Sequence, residues 1–177
     1  WTVMHKIAVA IDALNERVGR ITAWLALAMV LMMAANVLLR YAFSIGYAWQ
    51  QESVRFMHGI LFLAGAAYAL KHEAQVRVDV LYQGMSDTRK ACVNFVGTFV
   101  FLFPMAGAIL YFSNDYIMNS WSIYEGSAEY KGMPGVFIFK SFIWVCGALL
   151  ILQGISVIIR SLETIRFGSK SMIVSED

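Results

Sequence analysis

Three side chains capable of acid–base or ionic chemistry stand three residues apart in the first half of the chain: Glu52, Arg55 and His58. They open a segment that is almost entirely apolar from Phe56 to Leu70. On a helix, neighbours in this set lie on one side. Polar side chains at membrane depth avoid lipid, so the set predicts either a local ion pair that anchors a helix start or contacts to another protein surface.

Catalytic and cofactor chemistry finds little support elsewhere in the sequence. His58 and His72 are fourteen residues apart, which is about 21 Å along a helix, so one haem could not use both as axial ligands. The two cysteines, Cys92 and Cys146, fall in different apolar segments and imply neither a disulfide framework nor a metal site. The sequence has no phosphate-binding glycine loop and no nucleophile motif. We therefore predict no catalytic, cofactor-binding or metal-binding residue.

The composition indicates a membrane protein. Hydrophobic residues make up 59% of the 177 residues and charged residues 15%, against about 45–50% and about 25% in soluble domains. Stretches 21–39, 91–112 and 141–159 lack Asp, Glu, Lys and Arg, and each approaches the roughly 20 residues that cross a bilayer. A fourth, shorter span is predicted at 53–70. The predicted fold is an all-α membrane protein with four transmembrane helices in one domain, residues 1–177.

The distribution of basic residues predicts the orientation. Ten of the 14 Lys and Arg lie before the first span, between the second and third, and after the fourth. Short loops rich in Lys and Arg stay in the cytoplasm, so both termini are predicted to be cytoplasmic. The net charge of +2 is too small to suggest a nucleic-acid partner.

Two further segments have amphipathic character. Apolar residues recur in steps of three and four within residues 1–20, with Asp12 and Glu16 on other faces. This predicts an interfacial helix or, alternatively, an inward extension of the first span. Residues 1–20 lack the apolar core of a signal peptide, so the first span is expected to be retained. A second interfacial helix is predicted at 74–85.

Two features mark the second half of the chain. Pro104 removes a backbone donor within the third span, which predicts a kink. Beyond it, residues 113–135 form the largest predicted outer loop, which ends in the turn sequence Gly-Met-Pro-Gly.

The segment WQQESVRFMHGILFLAGAAYALKHEAQVRVDVLY resembles the signature of the small membrane subunit (Q subunit, DctQ-like) of tripartite ATP-independent periplasmic (TRAP) transporters. That pattern begins with an aromatic and an acidic residue, followed by an arginine, a group of three small residues, a basic residue and a Val-Asp-hydrophobic sequence. Here they correspond to Trp49 and Glu52, Arg55, Gly65 to Ala67, Lys71, and Val78 to Val80.

The last span, GMPGVFIFKSFIWVCGALLILQGISVIIRSL, is also similar to that family, with Pro134, Lys140, Gln153, Gly154 and Arg160 in matching places. The resemblance covers residues 49–162. One departure is Gln75, where many members have His, so no role of that histidine is carried over.

The resemblance implies a multi-pass protein of the bacterial or archaeal inner membrane. In such systems a periplasmic solute-binding protein captures an organic acid, and a large membrane subunit (M subunit) moves it by a sodium-driven elevator motion. The small subunit braces the large one, and sodium binds to the large subunit. We expect a partner interface at Trp49, Glu52, Arg55, His58, Gly65, Lys71 and Asp79. A docking loop for the binding protein is expected around Tyr116, Trp121, Glu125 and Glu129.

Two other functions are compatible with a small four-span protein. A haem-bearing membrane anchor of an oxidoreductase would show a haem absorption spectrum. An autonomous exporter would transport its substrate without a partner. A proton-coupled exporter requires an acidic residue deep in a span, and the sequence predicts none there.

Overall fold

The computed structural model describes residues 2–72 and 84–167, which are helical apart from short connections. We number the helices α1 (Thr2–Phe43), α2 (Ala48–Lys71), α3 (Asp87–Gly97), α4 (Phe103–Ser122) and α5 (Val136–Phe167). A π-helical segment, Thr98–Leu102, joins α3 to α4. The described residues contain no strand, and four continuous helices are long and apolar enough to cross a membrane. The predicted all-α fold with four spans is confirmed.

Helix α1 continues well beyond the predicted first span. It runs without interruption for 42 residues, about 63 Å, whereas the hydrocarbon core of a bilayer is about 30 Å thick. Residues 2–20 therefore continue the first span inward as one helix. The place where the membrane boundary crosses α1 stays a prediction. The predicted interfacial helix at 74–85 lies mostly outside the described residues, and Gly84 and Met85 form a turn before α3.

The helical segment around Pro104 departs from α geometry. Within the π-helical segment, the backbone N–H of Phe103 donates to the carbonyl of Thr98, five residues earlier. Pro104 follows directly, inside the continuous helix 87–122, and has no N–H to donate to the carbonyl of Val100. A π-helical turn therefore stands directly before Pro104, and such turns are one known cause of helix kinks, whereas the kink itself stays a prediction.

Helix α5 is the centre of the bundle. It packs against α1, α2, α3 and α4, whereas α1 contacts mainly α2 and α5. A small apolar core is formed by Ala67, Ala106, Cys146, Leu149 and Leu150. The described N-terminal end of α1 meets the C-terminal end of α5, so both lie at one end of the bundle. We call this the inner end and the opposite one the outer end, following the predicted orientation.

Gly154 lets the π-helical segment and the start of α4 approach α5 closely. A Cβ atom at this position would lie 2.6 Å from Cε1 of Phe103 and 2.9 Å from Cδ2 of Leu102. These distances are below van der Waals contact, so even one methyl group requires the neighbouring side chains to move.

Gly154→Ala should therefore destabilise the protein by about 1–3 kcal/mol, the usual cost of overpacking. Thermal unfolding in detergent would show a lower midpoint. Gly65→Ala is the matched control, since a Cβ there has no atom within 4 Å and alanine favours a helix over glycine by about 1 kcal/mol. Equal midpoints for the two variants would contradict the close packing at Gly154.

Candidate functional site

At the outer end, Glu52 holds the connection between α4 and α5 against α2. Its side chain is 7% exposed. It accepts a hydrogen bond from the backbone N–H of Met133 at 2.6 Å and another from the hydroxyl of Ser127. A buried carboxylate requires such donors, because burial removes its hydrating water. We call residues 123–135 the outer loop, and Glu52 is its main attachment to α2.

The backbone of the outer loop is shaped for this contact. Tyr124 and Lys131 adopt left-handed conformations, with φ of 46° and 57°. A Cβ on Gly132 would lie 2.7 Å from Oε2 of Glu52, so a side chain there would push the loop away. The loop therefore needs glycine where it meets the carboxylate.

Further contacts surround the attachment. Arg55 donates to Glu129 at 3.3 Å, but both side chains are more than half exposed, so this pair contributes little stability. Lys140 pairs with Glu125 and lies 3.9 Å from the ring centroid of Tyr116. Hydrogen bonding to the Lys140 ammonium holds the pKa of Glu125 below its ordinary value. The loop is thus fixed to both α2 and α5.

The residues predicted as a partner interface do not form one cluster. Glu52 and Arg55 both contact the outer loop, whereas His58 is exposed and makes no hydrogen bond or ion pair within the described part of the chain. Gly65 faces open space. Trp49 is 40% exposed at the outer end, and Lys71 lies about 33 Å away along α2. Asp79 lies outside the described residues.

The residues predicted as a docking loop divide between two elements. Helix α4 continues to Ser122, so Tyr116 and Trp121 are helical and the loop prediction for residues 113–122 is wrong. Packing explains the extension, since Ile117 and Ser120 are almost completely buried. Trp121 donates from Nε1 to Ser141 of α5 at 2.9 Å. Glu125 and Glu129 do lie in the outer loop.

Sequence analysis missed a buried polar cluster at the inner end. Asp12 of α1 is 6% exposed. It accepts hydrogen bonds from Ser156 at 2.7 Å, from Gln153 at 3.0 Å, and from Arg160. Sequence analysis placed Asp12 on a polar face of an amphipathic helix, whereas the structure buries it, because α5 supplies three donors at this position. The spacing of Gln153, Ser156 and Arg160 along one side of an apolar helix was the available signal.

A second inner cluster joins α1 to the end of α2. Glu16 accepts from Lys71 at 2.7 Å and lies 2.8 Å from Nε2 of His72. It also accepts from Arg20 on its own helix at 2.9 Å. Lys71, predicted to meet a partner, thus has an internal role.

These polar side chains pair with one another, and Asp12, Lys71 and Arg160 also line a pocket of about 450 Å³ at the inner end. Among residues 2–72 and 84–167, no three His, Cys, Asp or Glu side chains are close enough to share a metal ion. Four apolar helices tied by internal polar contacts define a multi-pass membrane protein.

Comparison with known proteins identifies the family. Residues 29–164 match the family of "Tripartite ATP-independent periplasmic transporters, DctQ component", and the chain belongs to this family. The chain is therefore a small TRAP transporter subunit in the inner membrane, a component of a transport system.

One relative is the C4-dicarboxylate TRAP transporter small permease protein DctQ of Vibrio cholerae serotype O1, 39% identical over 54 residues. The match covers 30% of this chain and 23% of the relative's length. No solved structure matches the chain.

Replacing Asp12 should weaken the joint between α1 and α5. Asp12→Asn keeps the side-chain shape but removes the charge, and hydrogen bonds to charged groups contribute about 1.5–3 kcal/mol. Asp115→Asn is the control, because Asp115 is an exposed residue of α4. Thermal unfolding should show a lower midpoint for the first variant alone. Adding Arg160→Gln to Asp12→Asn should then cost little more, since the pair is already broken.

Replacing Glu52 should release the outer loop. Glu52→Ala removes the acceptor of two hydrogen bonds, so trypsin should cleave after the exposed Lys131 about tenfold faster or more. Mass analysis of the fragments over time measures this rate. Gln51→Ala, a change at the exposed neighbouring residue, should leave it unchanged. Identical cleavage rates for wild type and Glu52→Ala would exclude the attachment.

Proposed function

We propose that this chain is the scaffold subunit of a sodium-coupled TRAP transporter that imports organic acids. Membership of the DctQ family supports this proposal most directly. In the proposed system, a periplasmic solute-binding protein delivers the acid to a large membrane subunit, which carries it across by an elevator motion. The substrate and sodium sites belong to the large subunit, and this chain binds no cofactor. C4-dicarboxylates, named for the Vibrio cholerae relative, are the first substrates to test.

A brace must stay rigid while its partner moves, and the polar contacts described above suit that requirement. At the inner end, Asp12 joins α1 to α5 and Glu16 joins α1 to α2. At the outer end, Glu52 joins α2 to the outer loop. Sliding of one helix past another would separate these groups. Contacts at both ends therefore resist shear within the bundle.

The large subunit would pack against the exposed side of α2 in this proposal. His58 is exposed there, and Gly65 leaves room for a close approach by another helix. Small residues permit such packing between membrane helices, and a polar side chain can add an interhelical hydrogen bond. Interfacial Trp49 would complete the contact at the outer end.

The binding protein would dock on the outer loop and the end of α4. Glu125 and Glu129 supply acidic groups there, and the exposed fractions of Tyr124 and Tyr130 are 74% and 87%. Tyrosines exposed together on an attached loop are suited to protein contacts, because they bury large area with little loss of side-chain freedom.

Gly65→Leu tests the α2 interface. The variant should reduce co-purification of the large subunit by about 5-fold to more than 100-fold, because overpacking costs about 1–3 kcal/mol. Gly97→Leu on α3 is the matched control, since a Cβ there also has no atom within 4 Å. Thermal unfolding of each isolated chain verifies that both variants fold.

The same variants should be reconstituted with the large subunit and the binding protein in liposomes carrying a sodium gradient. We expect uptake of a labelled dicarboxylate to require all three proteins and sodium, and to fall with Gly65→Leu. Uptake by this chain alone would overturn the scaffold proposal. Equal recovery of the large subunit with both leucine variants would place the interface elsewhere and contradict the α2 surface.

A further inference from the structure

A pocket of about 370 Å³ opens between the outer ends of α1 and α2. Its walls are apolar on both helices, formed by Met33 and Val37 of α1 and Val54 of α2. Arg40 and Arg55 contribute basic groups, and no carboxylate lines the pocket. Its volume falls within the range of about 300–1,000 Å³ for small-molecule sites.

Asn36 lines this pocket, and its side-chain oxygen accepts no hydrogen bond from the described part of the chain. The residue is 8% exposed, and its Oδ1 atom is buried without a partner in the described part of the chain. Buried polar atoms in native proteins are nearly always hydrogen-bonded, because an unpaired one costs free energy. Oδ1 of Asn36 has almost no accessible surface, so a ligand in the pocket meets the two arginines and the apolar wall and does not reach this oxygen.

The two arginines give the pocket a positive charge. Arg40 makes no hydrogen bond or ion pair with any residue in 2–72 or 84–167. Arg55 donates one N–H group to Glu129 at 3.3 Å, and a guanidinium has five such donors, so others remain. Guanidinium groups pair well with phosphate, to which they can donate two hydrogen bonds at once.

The pocket lies at the depth where lipid headgroups are expected. It is bordered by the end of α1 and the start of α2, and Tyr41 lines it, while Trp49 is the second residue of α2. Tyrosine and tryptophan concentrate at the membrane–water interface. Basic groups beside an apolar wall at this depth match the chemistry of a phospholipid.

We propose that this pocket binds one membrane phospholipid. Its phosphate lies between Arg40 and Arg55, which donate hydrogen bonds to the phosphate oxygens. The upper part of an acyl chain lies along Met33, Val37 and Val54. A side chain of the large subunit is the competing occupant, and the charge of the pocket together with its apolar wall favours the lipid.

Lipid add-back to the purified complex with its large subunit tests this proposal. After delipidation in detergent, the complex is mixed with phosphatidylethanolamine, phosphatidylglycerol or phosphatidylcholine, and native mass spectrometry measures the bound lipid. All three lipids should bind, because each carries the phosphate that the two arginines recognise, and the anionic phosphatidylglycerol should bind most tightly.

One variant tests the pocket and another serves as its control. Arg40→Gln should lower the affinity for all three lipids by about tenfold, the effect of losing one charged hydrogen bond. Arg17→Gln, which changes an exposed arginine near the inner end of the same helix, should leave binding unchanged.

Equal lipid binding by wild type and Arg40→Gln would overturn the proposal. So would a photo-crosslinker at position 37 that labels the large subunit and no lipid. Both results are independent of the scaffold function, because co-purification of the large subunit is measured in the same samples.

Discussion

The buried carboxylate of Asp12 constrains the bundle more than any other group. Between membrane helices, apolar packing specifies register weakly, because lipid tails are as apolar as leucine. A buried charge must meet its donors, so α1 and α5 can pair only where Ser156, Gln153 and Arg160 surround Asp12. Since α5 contacts the other four helices, fixing its position against α1 fixes the frame in which they pack.

At the outer end a buried carboxylate also fixes the packing, but its hydrogen-bond donors come from a loop and not from a helix. Glu52 supplies a buried acceptor, and the connection between α4 and α5 supplies the donors. Each end of the bundle thus has an acidic side chain whose burial is satisfied only in one arrangement. Both groups are internal, so in the proposed scaffold role the contacts to lipid and to protein partners would come from the apolar surfaces and the exposed side of α2.

The sequence predicts the four spans well because hydropathy and helix length are local properties. The role of Asp12 was not predictable in this way, since its partner Arg160 lies 148 residues further along the chain and the pairing depends on helix register. The end of α4 was misplaced for a similar reason. Hydropathy falls at Ser113, but packing of Ile117 and Ser120 continues the helix to Ser122. Glu52 was identified by its type and position, whereas its binding to Met133 required the loop conformation.

The π-helical turn at Thr98–Leu102 changes which way the third span faces. Such a turn adds one residue relative to an α-helix, and one residue corresponds to a rotation of about 100°. Side chains beyond the turn are therefore offset around the axis from the positions that an unbroken helix would give them. The third span therefore consists of two helical halves, and the residues that face α5 follow a different register in each half.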